Sequence, residues 1–319
     1  MASTTQDTDS HVRNSIKHLG ADTWLIGPVI LQRSKGLSEG ATWYDWVDNS
    51  SYTISDATVP PPPATPISTN DPIFTLIYQT GNCNAVWSVG PNAFCKVHQV
   101  YPGMTPEATT LTWVQAKQPD FPIPKLLYSA EAAGRSYLFV TRVPGRTLAK
   151  AWPTLDDNWK LHYVNKVANV CGILATWEGN TIGGVDCRPV RESYLLKQGD
   201  EREITSDLLL DGCKALQLDC NKLVFQHGDL GPRNIIVEDI PTLGTIGIID
   251  WEISGFFPRD WIRTKFRISP GLDLPGDAGN NPKEFRATVQ ARLGEFGFRE
   301  CVAAWASWWP RDPTEWAQN

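Results

Sequence analysis

Three side chains in the C-terminal half of the sequence carry most of its chemical potential: Asp229, Asn234 and Asp250. They stand in the stretches His227-Gly228-Asp229-Leu230-Gly231-Pro232-Arg233-Asn234 and Ile248-Ile249-Asp250-Trp251-Glu252. Asp229 and Asn234 are five positions apart, and Asp250 lies sixteen positions beyond Asn234. A carboxylate that orients and accepts a proton, beside an amide and a second carboxylate that offer hard oxygen ligands, suits phosphoryl transfer. That reaction needs a group for the incoming nucleophile and ligands for the magnesium that bridges the phosphates.

The surrounding pattern says how these groups are held. Leu223-Val224-Phe225 reads as a short strand that delivers the loop, and Gly231 and Pro232 keep the loop from becoming a helix. Ile235 to Val237 and Thr245 to Ile249 read as two strands of a hairpin joined across Pro241 to Gly244. A hairpin brings its outer ends together, so Asn234 and Asp250 are expected side by side.

Upstream, residues 74–78, 85–89 and 93–97 form an antiparallel meander, with turns at Gly81-Asn82-Cys83-Asn84 and Gly90-Pro91-Asn92 and with Lys96 on the third strand. Asn82 and Asn84 offer amides and tolerate turn geometry. A helix is expected from Thr105, with Thr105 as cap and Pro106 in its first turn, running through Leu111, Trp113 and Val114. Glu107 lies eleven positions after Lys96, where a first-turn acid also complements the helix dipole. A strand pair around Gly134 leads into Thr141-Arg142-Val143-Pro144-Gly145. Helical periodicity follows at Trp159, Val164, Val167, Cys171 and Leu174, again over 204–216, and in two C-terminal segments that crowd Trp305, Trp308, Trp309 and Trp316.

Ahead of the meander, residues 1 to about 12 read as disordered, 14–19 as a short helix, and Val59 to Pro63 with Pro66 as a semi-rigid linker. Trp43, Tyr44 and Trp46 are expected to pack onto the strands that follow.

At 319 residues the chain can hold two lobes. Its net charge of -6 and pI of about 5.4 argue against a chain-wide nucleic-acid footprint. Seven cysteines without a C-x-x-C pair argue against a disulfide framework or zinc site. The polar N-terminus is unlike a signal peptide, and no run approaches the roughly 20 apolar residues of a membrane span. A reduced, cytoplasmic protein is the expectation.

The two-part motif resembles the aminoglycoside phosphotransferase and choline kinase-like group. The resemblance implies an α+β, protein-kinase-like fold of two lobes: an N-lobe antiparallel sheet plus helix, and a mainly helical C-lobe. It divides the chain into a 1–70 extension, a 71–145 N-lobe and a 146–319 C-lobe. It makes Asp229 the catalytic aspartate, Asn234 and Asp250 the Mg2+ ligands, and Lys96 a contact to the ATP phosphates fixed by Glu107. The turn at Gly81, Asn82 and Asn84 would cover the phosphates, and the backbone of Thr141 and Val143 would hold the adenine edge. The acceptor would be a small-molecule hydroxyl; the Trp-rich C-terminal part, for which core packing is the default, would line the acceptor side, His227 would support the catalytic loop from behind, and Asp260 would tie its loop to the lobe. His227-Gly228-Asp229 and Asp250-Trp251-Glu252 differ from the His-Arg-Asp and Asp-Phe-Gly of protein kinases, and no Ala-Pro-Glu end follows. Gly81 is the one glycine of its turn. That departure keeps open a second reading, a kinase-like scaffold that binds a ligand without transferring phosphate.

Overall fold

The computed structural model describes residues 11–198, 202–278 and 281–309. The chain divides into two compact units, residues 1–102 with 124–142 and residues 103–123 with 143–319. The N-terminal segment and the meander, which the sequence reading separated at residue 70, fall in one unit. The helix after Thr105 falls in the other.

Among the described residues the first unit holds two antiparallel sheets. One contains β1 (Ile16–Gly20), β2 (Thr23–Ile26), β3 (Val29–Lys35), β4 (Trp43–Asp45), β5 (Ser50–Asp56) and β6 (Thr65–Pro66), in the order β4-β5-β3-β2-β1-β6. The other contains β7 (Phe74–Thr80), β8 (Asn84–Val89), β9 (Ala93–Gln99), β10 (Leu126–Ala132) and β11 (Arg135–Thr141), in the order β10-β11-β9-β8-β7. Trp24, Ile26, Leu31 and Tyr52 of the first sheet share a core with Phe74, Trp87, Cys95, Val97 and Phe139 of the second. Two half-apolar sheets bury their inner faces in this way.

This sheet pair corrects the N-terminal expectation. Residues 16–20 are strand, not helix, because Ile16 pairs with Ile26 and is fully buried, whereas a helix of one or two turns has little stability of its own. Val12, expected in a disordered tail, is buried in a short 3-10 turn; residues 1–10 lie outside the described residues. Val59 to Pro63 connects β5 to β6 within one sheet, since β6 pairs with β1 through Lys17↔Pro66 and His18↔Thr65. Trp43 packs as expected, stacked 4.7 Å from Tyr52, while Trp46 is 80% exposed.

Asp71 anchors the start of β7. Its buried carboxylate accepts from Ile73 N and Phe74 N, both at 2.8 Å, from Trp24 Nε1 at 3.2 Å and from His18 Nε2 at 2.6 Å. Burial alone would raise its pKa, but the bonds from Phe74, Ile73, Trp24 and His18 outweigh burial and hold the carboxyl below the usual range. A depressed folded pKa gives stability that is full above the unfolded value, near 4, and is lost as pH falls through the folded one. Acid unfolding followed by tryptophan fluorescence should therefore steepen below about pH 4. Asp71→Asn should flatten that limb, and an unaltered acid limb in the variant would refute the anchor.

The second unit starts with α1 (Glu107–Ala116) and continues with β12 (Arg146–Thr147), α2 (Leu148–Ala151), α3 (Asp157–Leu174), β13 (Glu178–Gly179) and α4 (Ser206–Ala215). Then follow β14 (Leu223–His227), β15 (Ile235–Val237), β16 (Ile246–Ile248), β17 (Ser254–Pro258), α5 (Trp261–Ile268), α6 (Glu284–Glu295) and α7 (Val302–Trp308). Its strands form two small sheets, β12-β15-β16 and β13-β14-β17. Asp156 caps α3 by accepting from Trp159 N at 2.8 Å, and the helix buries Val164, Val167, Cys171 and Leu174 along one stripe. The cap expected of Thr105 is corrected: Pro106 occupies the cap position of α1, and the Thr105 hydroxyl donates to Asp186 Oδ1 at 2.6 Å. A buried hydroxyl beside a carboxylate gains a charge-assisted bond that a helix N–H cannot match. Among the described residues, no helix is long and apolar enough to cross a membrane.

Candidate functional site

β14 carries the loop that holds Asp229. All five of its residues are buried, and it runs antiparallel to β17 from Leu223↔Pro258 to His227↔Ser254. At Gly228 the loop presses against the chain after Trp251: a Cβ there would sit 2.3 Å from the Ile253 carbonyl oxygen. Only glycine permits that approach.

His227 braces the turn. Asp229 N donates to its Nδ1 at 3.3 Å, so Nε2 carries the proton and donates to the Ile249 carbonyl at 3.0 Å. Burial pushes the imidazole's pKa down, against the opposing charges of Asp229 and Asp250, and the ring stays neutral. With both nitrogens engaged, His227 joins the Asp229 loop to the Asp250 segment, the supporting place expected for it.

Asn234 grips Asp229 twice: its Nδ2 donates to the Asp229 carbonyl at 2.8 Å and to Asp229 Oδ2 at 2.9 Å. The amide nitrogen is thus turned toward Asp229, which leaves Asn234 Oδ1 as the acceptor end and, among the described residues, Asp229 Oδ1 as the open carboxylate oxygen. The hairpin expected downstream is present, with β15 and β16 paired from Ile235↔Ile248 to Val237↔Ile246. Its outer end is closed by Ile249 N donating to the Asn234 carbonyl at 3.0 Å, and Asp250 is the next residue. Asp250 adopts φ +68, a left-handed conformation that costs a residue with a Cβ about 1–2 kcal/mol. An amide oxygen and a carboxylate brought together at a hairpin end, with the amide nitrogen already spent, fit a hard divalent cation that takes few protein ligands.

Behind this end, Trp251 is fully buried, with its ring 4.8 Å from that of His227. Its backbone N–H donates to Glu107 Oε1 at 3.2 Å. Glu107 is 5% exposed at the start of α1, so a carboxylate of the helix's first turn holds the Asp250 segment. Asp260 accepts from Arg299 N at 2.9 Å and Nε at 2.8 Å, tying the loop after β17 to the segment before α7.

The remaining residues singled out from the sequence are placed as follows. Lys96 is half-buried on β9, between Cys95 and Val97, whose side chains point into the sheet–sheet core. Strand alternation puts Lys96 on the opposite face of its sheet. Gly81 and Asn82 form the exposed β7–β8 turn, where Gly81 has φ +52, and Asn84 begins β8. Asn82 Oδ1 accepts from Val12 N at 3.0 Å, so that oxygen serves the N-terminal segment. Thr141 N donates to the Lys125 carbonyl at 2.9 Å and its hydroxyl accepts from Lys125 N at 2.8 Å. Val143 is buried against Gly247. Of the crowded C-terminal tryptophans, Trp305 takes the core packing expected by default: it is fully buried, donates to the Tyr194 carbonyl at 3.0 Å, and stacks 5.3 Å from Trp309. Trp316 lies outside the described residues.

Residues 93–259, more than half of the chain, match the model of a family described as the phosphotransferase enzyme family. No curated protein matches. Among solved structures, an aminoglycoside-3'-phosphotransferase of type VIII aligns at 16% identity with a TM-score of 0.49, covering 75% of this chain and 93% of that one. The aminoglycoside phosphotransferase APH(3'')-Id from Streptomyces rimosus aligns at 15% identity with a TM-score of 0.49, covering 73% and 90%.

Proposed function

Because the chain belongs to the phosphotransferase enzyme family, we propose that it moves the γ-phosphoryl group of ATP to a hydroxyl of a small molecule. The observation that carries this reading is the grip of Asn234 on Asp229 at the hairpin end that also presents Asp250. Asp229 Oδ2 is fixed by the amide, and Oδ1 accepts the proton of the acceptor hydroxyl as the new P–O bond forms. Asn234 Oδ1 and the Asp250 carboxylate would hold Mg2+, which supplies neutralisation of phosphate charge when bound. Lys96 would contact the nucleotide phosphates, and Gly81 and Asn84 would cover them through the turn and its amide. Glu107, whose place beside Trp251 fixes the Asp250 segment, is the carboxylate we assign to the lysine. The backbones of Thr141 and Val143 are assigned to the adenine edge, with the Thr141 carbonyl rather than its N–H as the contacting group. Most of the acceleration would come from positioning and charge stabilisation. We also place the chain in a reducing, cytoplasmic setting, on its seven cysteines without a C-x-x-C pair.

The test is ADP release from ATP and Mg2+ across a panel of hydroxylated small molecules. Acceptor-dependent ADP release is expected. If no compound elicits ADP and calorimetry finds no ATP binding at millimolar nucleotide, the reading fails. The engagement of Asn82 Oδ1 by Val12 would then favour a scaffold that binds without transferring phosphate.

A further inference from the structure

Two cysteines meet at the end of α4, and the turn that stops the helix is what joins them. Gln217 takes a left-handed backbone, φ +56, and its N–H donates to the Lys214 carbonyl at 2.9 Å. Leu218 N donates to the Cys213 carbonyl at 3.1 Å. This pair of bonds satisfies the last carbonyls of a helix and folds the outgoing chain back over its final turn. Leu218 is buried by the reversal. Two residues further on, the Cys220 sulfur accepts a hydrogen bond from the Cys213 thiol. The Cys220 thiol in turn donates to the Leu218 carbonyl at 3.5 Å.

The two thiols are unequal. Cys213 is fully buried on α4, next to Gly212, where a Cβ would stand 2.0 Å from the Leu195 carbonyl oxygen. Small molecules in solution do not reach its sulfur. Cys220 lies in a loop and is partly exposed. Accepting from Cys213 holds the Cys220 thiol below its ordinary pKa, against burial and with the help of the Lys214 ammonium. Donating that bond, together with burial, pushes the Cys213 thiol up. A partly exposed sulfur favoured as thiolate, with a buried thiol touching it, has the form of an attacking cysteine beside a resolving one. The other five stand differently: Cys83 and Cys187 are exposed, Cys95 and Cys171 are buried, and the Cys301 sulfur lies 3.3 Å from the Thr264 hydroxyl.

We propose that Cys213 and Cys220 form a redox-active dithiol that small peroxides oxidise to a disulfide and a dithiol reductant restores. The inference is independent of the phosphoryl-transfer reading. The Cys220 thiolate attacks one oxygen of the peroxide, the O–O bond breaks, and the departing hydroxide takes up a proton to leave as water. Cys220 is then a sulfenic acid, oxidised by two electrons. The Cys213 sulfur attacks Cys220 Sγ, the S–O bond breaks as the S–S bond forms, and the thiol proton leaves with the hydroxyl as a second water. The reductant returns two electrons and two protons, and its own sulfurs become a disulfide. An S–S bond of about 2.05 Å is shorter than the hydrogen bond it replaces, and the Cys220 loop, outside helix and strand, supplies the movement.

The test is peptide mass mapping of the full chain after hydrogen peroxide, with remaining thiols blocked by N-ethylmaleimide before unfolding. Trypsin cuts after Arg202, Lys214 and Lys222, so the two cysteines fall in separate peptides, residues 203–214 and 215–222. The expected product is these two peptides joined, lighter than their sum by two hydrogens and parted by dithiothreitol. In Cys213→Ser the sulfenic acid has no resolving thiol, and its capture by dimedone at Cys220 should rise about tenfold or more over the wild type. Oxidation of the exposed Cys83 and Cys187 without the joined peptides overturns the inference, as does a bond from Cys213 to Cys301. Dimedone capture within about twofold of the wild type in a folded Cys213→Ser also overturns it. If that variant does not fold, the wild-type peptide map decides alone.

Discussion

Asp229→Asn is expected to lower kcat by ~10²–10⁴-fold, or about 3–5 kcal/mol of transition-state stabilisation, with ATP affinity changed little. Asparagine is the informative replacement because it keeps the shape of the side chain. Its carbonyl oxygen can still accept from Asn234 Nδ2, which is 2.9 Å from Asp229 Oδ2, so the loop keeps its course. The group placed at Oδ1 then becomes an NH2, which cannot accept the acceptor's proton. Alanine would instead release Asn234 from Asp229 and mix two effects. On the proposed assignment the loss falls on kcat and on kcat/KM alike, the signature of an interaction made in the transition state. Steady-state rates combined with nucleotide titration by calorimetry separate the terms. Turnover at the wild-type rate in this variant would remove Asp229 from the chemistry.

For Asp250→Asn we expect kcat to fall at least about 10²-fold and the Mg2+ concentration for half-maximal rate to rise, since a neutral amide is the poorer ligand for a hard divalent cation. The backbone dictates this choice as well. Asp250 sits at φ +68, and asparagine tolerates the left-handed region nearly as well as aspartate, so Asp250→Asn changes the charge and spares the conformation. Asp250→Ala should lose further stability, about 1 kcal/mol, from backbone strain alone. Rates across a Mg2+ titration and thermal melts of the two variants check both parts. A Mg2+ dependence identical to that of the wild type in Asp250→Asn would remove it from the metal site.

Much of this was legible in the sequence, for local reasons. Alternation over 74–97 gave the meander, three- and four-residue spacing gave α3, and the glycine and proline of the Asp229 loop gave a turn where one stands. The hairpin between Asn234 and Asp250 could be read because its two strands and their turn are contiguous. The N-terminal sheet was not legible. Residues 14–19 are too few for their own periodicity to decide between helix and strand, and their pairing with β2 and β6 decides it instead. The fate of single polar groups was equally hidden: Thr105 reads as a cap until Asp186 is seen beside it, 81 positions later in the chain.

The sequence by itself determined the chemistry on offer, an acid and an amide on one loop and a second acid at the end of a hairpin, because side-chain type and short-range backbone preference are written locally. Only the tertiary structure decided which oxygen of Asp229 Asn234 holds, and that Glu107 holds Trp251 across 144 positions. The physical reason is that these contacts join segments far apart in the chain. The register that brings them together is set by the burial of β14 and Trp251, and no spacing of residues records it.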